Sequence, residues 1–346
     1  MKSKVFILYT GGTFGMQESE DKGLVPRDWD EILKFMPAVN NDGYFSHFKN
    51  VEFTFDTLDE IVDSSDITPD TWKQIAAKIA ENYEDHSGFI VIHGTDTLAY
   101  TASALSFVLE DLDKPVILTG SQLPVFHPRT DAITNLSNAI YIAAYDSFEL
   151  ECIPEVCICF NDDLLRGNRS SKSSTLDLEG FQSPNHPNLG QLEQDISIES
   201  SLLRPQNKSG LKVKSEFSDR VVNVTVFPGY NPAVLIMMVE EGLLQGIVLK
   251  TFGSGNLSNH PGWTQLVKAC EENEVLILAT TQCLNGSIKL GKYKASEQLI
   301  SENVISGFDI TSEAALTKLM WVIGNYPMAE RKAVLSQNIR GEMSPL

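Results

Sequence analysis

Basic residues are the first shortage in this sequence. Among its 346 residues, 27 Lys and Arg face 46 Asp and Glu, which gives a formal net charge of -19 at pH 7. Proteins that bind nucleic acid neutralise phosphates with clustered Lys and Arg, so the charge argues against a nucleic-acid partner. Net charge bears on solubility and association and carries no information about the fold.

Cysteine and histidine are also scarce. The odd number of five cysteines does not resemble a disulfide framework. Cys157 and Cys159 flank Ile158 in an apolar run, so we expect buried thiols in a reducing compartment. The six histidines are scattered, and no zinc-type spacing occurs, so we expect no metal. The cysteines are Cys152, Cys157, Cys159, Cys270 and Cys283.

Long apolar runs are absent too. A membrane-spanning helix needs about 18 or more apolar residues in a row, and the chain has no such run. After the opening Met1-Lys2-Ser3-Lys4, only about six apolar residues precede Gly11-Gly12, whereas a signal peptide has a longer apolar core and a small-residue cleavage site. We therefore expect a cytoplasmic protein without membrane contact.

Short β-rich apolar runs alternate with helical patterns along most of the chain. The runs lack polar alternation, which is typical of parallel strands buried on both faces. Helical stripes lie between them, and Thr68-Pro69 predicts the start of one helix. The sequence therefore predicts an α/β fold with an open sheet covered by helices. The predicted strands are Val5–Tyr9, Phe89–Ile92, Val116–Leu118, Val156–Phe160, Val222–Phe227, Ile247–Leu249 and Val275–Ala279.

The alternation fails between about residues 186 and 219, where Asn, Pro, Ser and charged residues dominate. We interpret this stretch as interdomain connection with irregular structure. The predicted organisation is an N-terminal catalytic α/β domain over 1–195, a linker over 196–219 and a C-terminal α/β domain over 220–346. The N-terminal domain is the larger and has the mostly parallel sheet.

Hydroxyl-bearing loops follow the predicted strands. Ligands of open α/β sheets bind beyond the carboxyl ends of the strands, so residues at those positions are the best candidates for a site. Thr13 follows the first strand, and Thr95-Asp96 follows the second. Ser121 follows the third, and the segment after the fourth leads to Lys172. This convergence predicts one site served by several loops.

The first loop alone leaves alternatives open. Gly11-Gly12-x-x-Gly15 is not GxGxxG and no GKS or GKT follows, so a dinucleotide or triphosphate site is weakly supported. A glycine turn with incidental threonines also fits. The chain has no GxSxG elbow, which argues against a serine hydrolase of the α/β-hydrolase type.

Thr95, Asp96 and Lys172 indicate a catalytic function only when they are considered together. Alone, Asp96 fits a helix N-cap and Lys172 a solvated charge. A hydroxyl is a weak nucleophile at its free pKa, and a buried lysine paired with a carboxylate can activate it. A relay of Thr95, Lys172 and Asp96 would supply a base without histidine, and we interpret His93 as structural.

Several segments together resemble those of the bacterial type I, cytoplasmic L-asparaginases. They are distributed from residue 9 to residue 342, nearly the whole chain. The matching segments are Tyr9–Met16, Asp63–Pro69, His93–Thr101, Thr119–Gln122, Arg166–Arg169, Thr281–Cys283, Ser336–Asn338 and Arg340–Glu342.

The resemblance implies a two-domain asparaginase-like fold that hydrolyses L-asparagine without metal or organic cofactor. Thr13 matches the nucleophile that would carry the β-aspartyl acyl-enzyme, and Thr95, Asp96 and Lys172 match a second triad. The substrate contacts implied are Asp63, Ser64, Ser65 and Gly94, with an oxyanion hole in the Gly94-Thr95 region. The family forms homodimers, often paired into tetramers, in which the neighbour's C-terminal domain completes each site.

The sequence departs from the family pattern at the loop after the nucleophile. The family places a tyrosine in a Gly-Tyr-x-Pro context there, and this chain has Leu24 in Gly23-Leu24-Val25-Pro26. Leucine cannot accept or relay a proton. Either the loop only excludes water, or another residue such as Tyr293 takes the tyrosine's place.

A second departure concerns activation by asparagine. Some type I enzymes bind asparagine at a second site through an arginine, and the matching residue here is Lys250. Ser171 and Cys283 match other positions of that effector site. Lysine cannot make the two-pronged carboxylate contact of arginine, so Lys250 argues against activation by asparagine.

The sequence leaves three functions to separate. The first is an L-asparaginase, and the second is a glutaminase-asparaginase of broader specificity. One extra methylene gives only about 1–3 kcal/mol for discrimination between their substrates. The third is a catalytically weakened amino-acid-binding homologue, which the leucine at position 24 makes conceivable.

Overall fold

The computed structural model describes residues 2–19, 23–36, 44–207, 209–291 and 294–344. The chain forms two compact units, residues 1–213 and 214–346. Each unit has its own hydrophobic core around a sheet. The placement of a linker at 196–219 stays a prediction.

The first unit is built on an eight-stranded sheet in the order β13-β12-β9-β8-β7-β5-β1-β4. Strands β4, β1, β5, β7 and β8 run parallel, and β9, β12 and β13 extend the sheet in antiparallel fashion. The strands of this unit are β1 (Ser3–Gly11), β2 (Met16–Ser19), β3 (Gly23–Pro26), β4 (Val51–Val62), β5 (Gly88–Ile92), β6 (Leu109–Glu110), β7 (Val116–Thr119), β8 (Val156–Phe160), β9 (Asp163–Arg166), β10 (Ser171–Lys172), β11 (Phe181–Gln182), β12 (Gly190–Leu192), β13 (Ile196–Ile198) and β14 (Lys212–Val213).

In the described part of this unit, four α-helices accompany the sheet: α1 (Trp29–Phe35), α2 (Pro69–Glu81), α3 (Leu98–Val108) and α4 (Ala132–Ala143). Helix α2 begins where Thr68-Pro69 predicts it, since Thr68 and Thr71 form a capping box and Pro69 occupies the first turn. Its buried stripe includes Trp72, Ile75 and Ile79, at the spacing of one helix face.

Strand β4 was not predicted from the sequence. Val51, Phe53 and Phe55 alternate with polar residues, because β4 is the edge strand and lies beside β1 alone in the sheet. Such a strand lacks the continuous apolar run of β5, in which all five residues are buried.

The stretch around residues 186–204 belongs to the first unit, and a buried ion pair fixes it there. Arg166 Nε and Nη2 lie 2.6 and 3.0 Å from the two carboxylate oxygens of Glu155. Arg166 also donates to His186 Nε2 at 2.9 Å and to the Leu202 carbonyl at 2.7 Å, and Arg204 N–H donates to Glu155 at 2.7 Å. Both charges are therefore paired and hydrogen-bonded inside the protein, as burial requires.

The second unit has a four-stranded parallel sheet in the order β15-β16-β17-β18. Its strands are β15 (Val221–Thr225), β16 (Gly246–Thr251), β17 (Leu276–Thr281) and β18 (Val304–Ser306), and its helices are α5 (Ala233–Glu240), α6 (Gly262–Glu272), α7 (Ser312–Asn325) and α8 (Met328–Leu335). Lys318 of α7 and Glu342 are fully buried and 2.6 Å apart, which ties the segment after α8 to α7. The predicted α/β fold, with a larger N-terminal mostly parallel sheet and a smaller C-terminal unit, is confirmed.

Candidate active site

Four loops meet around Gly94, and they follow the carboxyl ends of β1, β4, β5 and β7. A Cβ atom on Gly12, which has φ +82°, would lie 2.2 Å from Gly94 Cα. A Cβ atom on Gly94 would lie 2.6 Å from Ser64 Oγ, and one on Gly120 would lie 2.3 Å from the His93 carbonyl oxygen. The backbones approach so closely that side chains at these glycines would collide.

Thr95, Lys172 and Asp96 form one hydrogen-bonded group. Lys172 Nζ donates to Thr95 Oγ1 at 2.8 Å and to Asp96 Oδ1 at 2.6 Å. Thr95 is buried, the Lys172 side chain is 17% exposed, and the Asp96 side chain is 64% exposed. The ammonium group therefore lies at the boundary between a buried hydroxyl and a solvated carboxylate, where it can stabilise negative charge on Thr95 Oγ1.

Lys172 reaches Thr95 by an indirect path. Strand β9 runs back antiparallel to β8, and Asn161 turns the chain with φ +52°. A 3₁₀ turn at Gly167–Arg169 follows, and Lys172 then lies in the short β10–β11 hairpin, where it pairs with Phe181. The sequence order alone shows the lysine beyond the fourth strand, and the reversal at β9 is a finding of the structure.

Thr13 begins a 3₁₀ turn, Thr13–Gly15, directly after β1. It is partly exposed, while Phe14 and Gly15 are buried beneath it. Gly15 is required because a Cβ atom there would lie 2.2 Å from Tyr9 Oη. Burial raises the pKa of Tyr9, with help from nearby Asp28, so Tyr9 stays a neutral phenol and is not a base for Thr13 at neutral pH. Thr13 is therefore the residue next to the close contact between Gly12 and Gly94.

Asp63, Ser64 and Ser65 form the next loop of the group. The Asp63 carboxylate accepts from the Ser65 N–H at 2.8 Å and from Ser65 Oγ at 2.6 Å, so it caps the 3₁₀ turn Ser64–Asp66. The Ser64 carbonyl accepts from Thr97 Oγ1 at 2.7 Å, which joins this loop to the start of α3. Their contacts with a substrate stay a prediction.

Gln122 lies beside Thr95, a contact that the sequence does not predict. Thr95 Oγ1 approaches Gln122 Oε1 at 3.5 Å, and Gln122 Nε2 donates to the Asp177 carbonyl at 3.0 Å. The Gln122 backbone N–H donates to Asp131 at 2.9 Å. The available signal was its position after β7 in the Thr119–Gln122 segment. The side chain links Thr95 to the loop of the β10–β11 hairpin.

The residues predicted for an effector site lie in both units. Ser171 precedes Lys172 in the first unit. Lys250 is near the end of β16, and Cys283 is exposed just after β17 in the second. Gln282 Nε2 donates to the Lys250 carbonyl at 3.0 Å, which links these two strand ends. Whether the three residues bind an effector stays a prediction.

Leu24 and Tyr293 are the two residues that bear on the tyrosine implied by the family pattern in the loop after Thr13. Leu24 lies in β3, and its backbone is paired with Glu18 in the β2–β3 hairpin that follows Thr13–Gly15. Tyr293 lies outside the described residues, so its suggested role stays a prediction.

In the described ranges, no three His, Cys, Asp or Glu side chains are grouped so that they could hold a metal ion. None of the helices described is long and apolar enough to cross a membrane.

Two family models match the chain. The model "Asparaginase, N-terminal" matches residues 4–204, and "Glutaminase/Asparaginase C-terminal domain" matches residues 220–334. The chain belongs to the asparaginase family. The identification of the family from its loop segments is thereby confirmed.

Similar proteins extend over the full length of this asparaginase-family chain. "L-asparaginase 1" of Escherichia coli K12 is 37% identical over 350 residues, which cover 99% of each chain. The crystal structure of L-asparaginase I from Vibrio cholerae superposes with a TM-score of 0.86 at 36% identity and covers 100% of both chains. The human "60 kDa lysophospholipase" is also 37% identical, over 99% of this chain and 62% of that protein.

Proposed function

We propose that this protein hydrolyses L-asparagine to L-aspartate and ammonia. The observation that carries the proposal is the contact of Lys172 Nζ with both Thr95 Oγ1, at 2.8 Å, and Asp96, at 2.6 Å, beside the Thr13 turn. The 37% identity to an L-asparaginase over the full chain supports the same reaction. No histidine takes part as a base in this arrangement.

The reaction proceeds through two acyl transfers. Thr13 Oγ1 attacks the side-chain amide carbon and forms a C–O bond and a tetrahedral oxyanion, while its proton passes to the pair of Thr95 and Lys172. The C–N bond then breaks, the leaving nitrogen takes up a proton, and ammonia departs from a β-aspartyl ester on Thr13. Water adds to this ester and releases L-aspartate and the free hydroxyl.

The second triad, formed by Thr95, Lys172 and Asp96, transfers the protons in these reaction steps. Lys172 Nζ takes the proton of the nucleophile or of the water through Thr95 Oγ1 and returns it to the leaving group, and the Asp96 carboxylate orients Nζ by its short contact. Backbone N–H groups of the Gly94-Thr95 region stabilise the oxyanion, and one such donor is typically worth about 2.7–4 kcal/mol of barrier. We assign the α-carboxylate to the Asp63–Ser65 loop and the α-amino group to Asp96.

We further propose a cytoplasmic location and self-association as a homodimer or homotetramer. All five cysteines are free thiols, and burial raises the pKa of Cys157 and Cys159, which fits a reducing compartment. At the position that matches the arginine of the family's effector site, Lys250 would bind a carboxylate more weakly than an arginine would.

The first test is ammonia release from L-asparagine and from L-glutamine under steady-state conditions. Wild-type protein should release ammonia from L-asparagine. Thr13→Ala and Thr95→Ala should each lower kcat by about 10³-fold or more, because loss of a nucleophile or its activating group removes most of the chemical acceleration. Both variants should keep the wild-type melting temperature.

The controls separate the remaining functions. Thr13→Ser keeps a hydroxyl at the same position and should retain measurable turnover. Near wild-type activity of Thr13→Ala would refute the assignment of the nucleophile. Comparable turnover of glutamine would establish a glutaminase-asparaginase. A rise in melting temperature with asparagine, without hydrolysis of either amide, would establish the amino-acid-binding homologue.

A further inference from the structure

His93 is fully buried beside the candidate active site, and both of its ring nitrogens are engaged. Nδ1 lies 2.7 Å from the Gly94 carbonyl oxygen, and Nε2 lies 2.9 Å from Thr101 Oγ1. Thr101 Oγ1 in turn accepts from Trp72 Nε1 at 3.0 Å. A chain of three hydrogen bonds therefore runs from α2 through α3 to the peptide that precedes Thr95.

The chemistry of the two ends and the neutral state of the ring together fix the direction of every bond in this chain. An indole N–H can only donate, and a carbonyl oxygen can only accept. Thr101 must therefore donate its hydrogen to Nε2, and Nδ1 must carry the ring hydrogen that is donated to Gly94. His93 is thus held in a single tautomer. Burial lowers its pKa to about 4, against the hydrogen bond to Gly94, so the ring stays neutral at physiological pH.

The bond to Gly94 sets the orientation of the following N–H group. The described part of the chain has no cis peptide bond, so the Gly94–Thr95 peptide is trans. In a trans peptide the C=O and N–H bonds point in opposite directions. Because the His93 ring holds the carbonyl, the Thr95 N–H points away from the ring. Among the described residues, none accepts a hydrogen bond from this N–H.

Because Gly94 has no side chain, the orientation of the Gly94–Thr95 peptide needs a restraint from elsewhere. The Gly94 Cα is confined between Gly12 and Ser64. Contacts at Cα leave the peptide plane after it free to rotate, and glycine restricts that rotation less than other residues do. The hydrogen bond from His93 restrains the carbonyl end of this plane.

We propose that His93 is a positioning residue that acts through the Gly94 carbonyl to aim the Thr95 N–H at the oxygen of the scissile amide. The N–H then meets the negative charge that develops on this oxygen in the transition state. Hydrogen bonding to the carbonyl also polarises the peptide and strengthens its N–H as a donor. This role rests on the proposed asparaginase activity.

The test compares two substitutions of nearly equal shape. The Nδ2 group of asparagine occupies the place of the histidine Nδ1–H, so His93→Asn keeps the donor to Gly94. His93→Leu has similar branching and no donor. We expect His93→Leu to lower kcat for L-asparagine by about 10- to 100-fold, less than the roughly 10²–10³-fold that follows the loss of a whole oxyanion donor. KM should change by less than about threefold, because other groups hold the substrate.

His93→Asn should retain most of the wild-type kcat. Equal losses in the two variants, or a rise in KM alone, would contradict the positioning role. Wild-type protein without asparaginase activity would instead contradict the proposed function. If His93→Leu does not fold, Thr101→Val and Thr101→Ser provide the same comparison one bond further away. Thr101→Val should lower kcat and Thr101→Ser should not, and equal kcat values in a folded pair would overturn the inference.

Discussion

At the scale of single residues, burial decides which groups of this site stay neutral. His93 is completely enclosed, and its imidazole has to remain uncharged to serve as acceptor for Thr101 and donor to Gly94. The same burial has a consequence for stability, since a group that resists protonation when folded accepts a proton readily when unfolded.

We predict that His93 makes the protein less stable as the pH falls from 6.5 to 4. The unfolded residue binds a proton below its ordinary pKa of 6.5, whereas the folded residue does so only below about 4. The stabilising contribution is therefore complete above pH 6.5 and is lost on acidification. At pH 5 the loss amounts to about 2 kcal/mol.

Denaturant unfolding of wild-type protein and His93→Asn at pH 7 and pH 5 measures this effect. Between the two pH values, wild-type protein should lose about 2 kcal/mol more unfolding free energy than the variant. The variant serves as the control for all other titrating groups. Parallel losses would show that His93 does not carry the effect.

Some contacts between site residues could be predicted from the sequence and others could not, for a physical reason. Thr95, Asp96 and Lys172 were predicted to act together because each follows a strand end, and the structure brings them into contact. Their catalytic roles stay a prediction. The link from Trp72 through Thr101 to His93 was not foreseen, since contacts between side chains of two helices leave no local pattern.

At the scale of elements, the β2–β3 hairpin is the element next to the candidate nucleophile in the chain. It starts directly after the Thr13 turn, and Leu24 lies in its second strand, opposite Glu18. The family resemblance implies a tyrosine at this point. We predict that Leu24→Tyr raises kcat for L-asparagine by about 10-fold, because a phenol can relay the proton that Thr13 has to lose.

Leu24→Phe is the matched control for this change. It adds the ring without the hydroxyl, so it should leave kcat near the wild-type value. A rise in both variants would mean that ring size matters rather than proton transfer. An unchanged rate in Leu24→Tyr would mean that another group already supplies the proton path.

Element prediction succeeded where the local signal was complete. Helix α2 carries a cap, a proline and an apolar stripe, and it begins at the predicted residue. The strands β9, β12 and β13 are short and partly polar, and they are held by pairing with one another and with β8. Pairing of that kind depends on distant residues, so the sequence of a short strand does not reveal it.

At the scale of the whole molecule, residues 186–213 belong to the first compact unit. Their Asn, Pro, Ser and charged residues are typical of a connection, and the placement of a linker at 196–219 stays a prediction. The buried pair of Arg166 and Glu155 supplies the contacts that composition cannot show, because its carboxylate and guanidinium bind backbone groups of this stretch.

Charge and exposed apolar surface together bear on self-association. Each chain carries a formal charge of -19, so two copies repel one another. Association therefore has to be driven by apolar contact. The second unit exposes Phe227, Val234, Met237 and Leu243 by more than half each. Val234 and Met237 are three residues apart on α5 and share one face. We expect a second copy of this chain to cover that face.

We predict a mass of two or four times the 38.3 kDa of one chain in sedimentation equilibrium. Raising the salt concentration from about 0.01 to 0.15 M should strengthen association, because the screening length falls from about 30 to 8 Å and the repulsion weakens.

Met237→Glu adds charge to the apolar face and should favour smaller species. Ala333→Glu adds the same charge at an exposed position of α8, away from this face of α5, and is the control that should leave the mass unchanged. An assembly unaffected by Met237→Glu would place the contact elsewhere, and a monomer at every salt concentration would refute self-association.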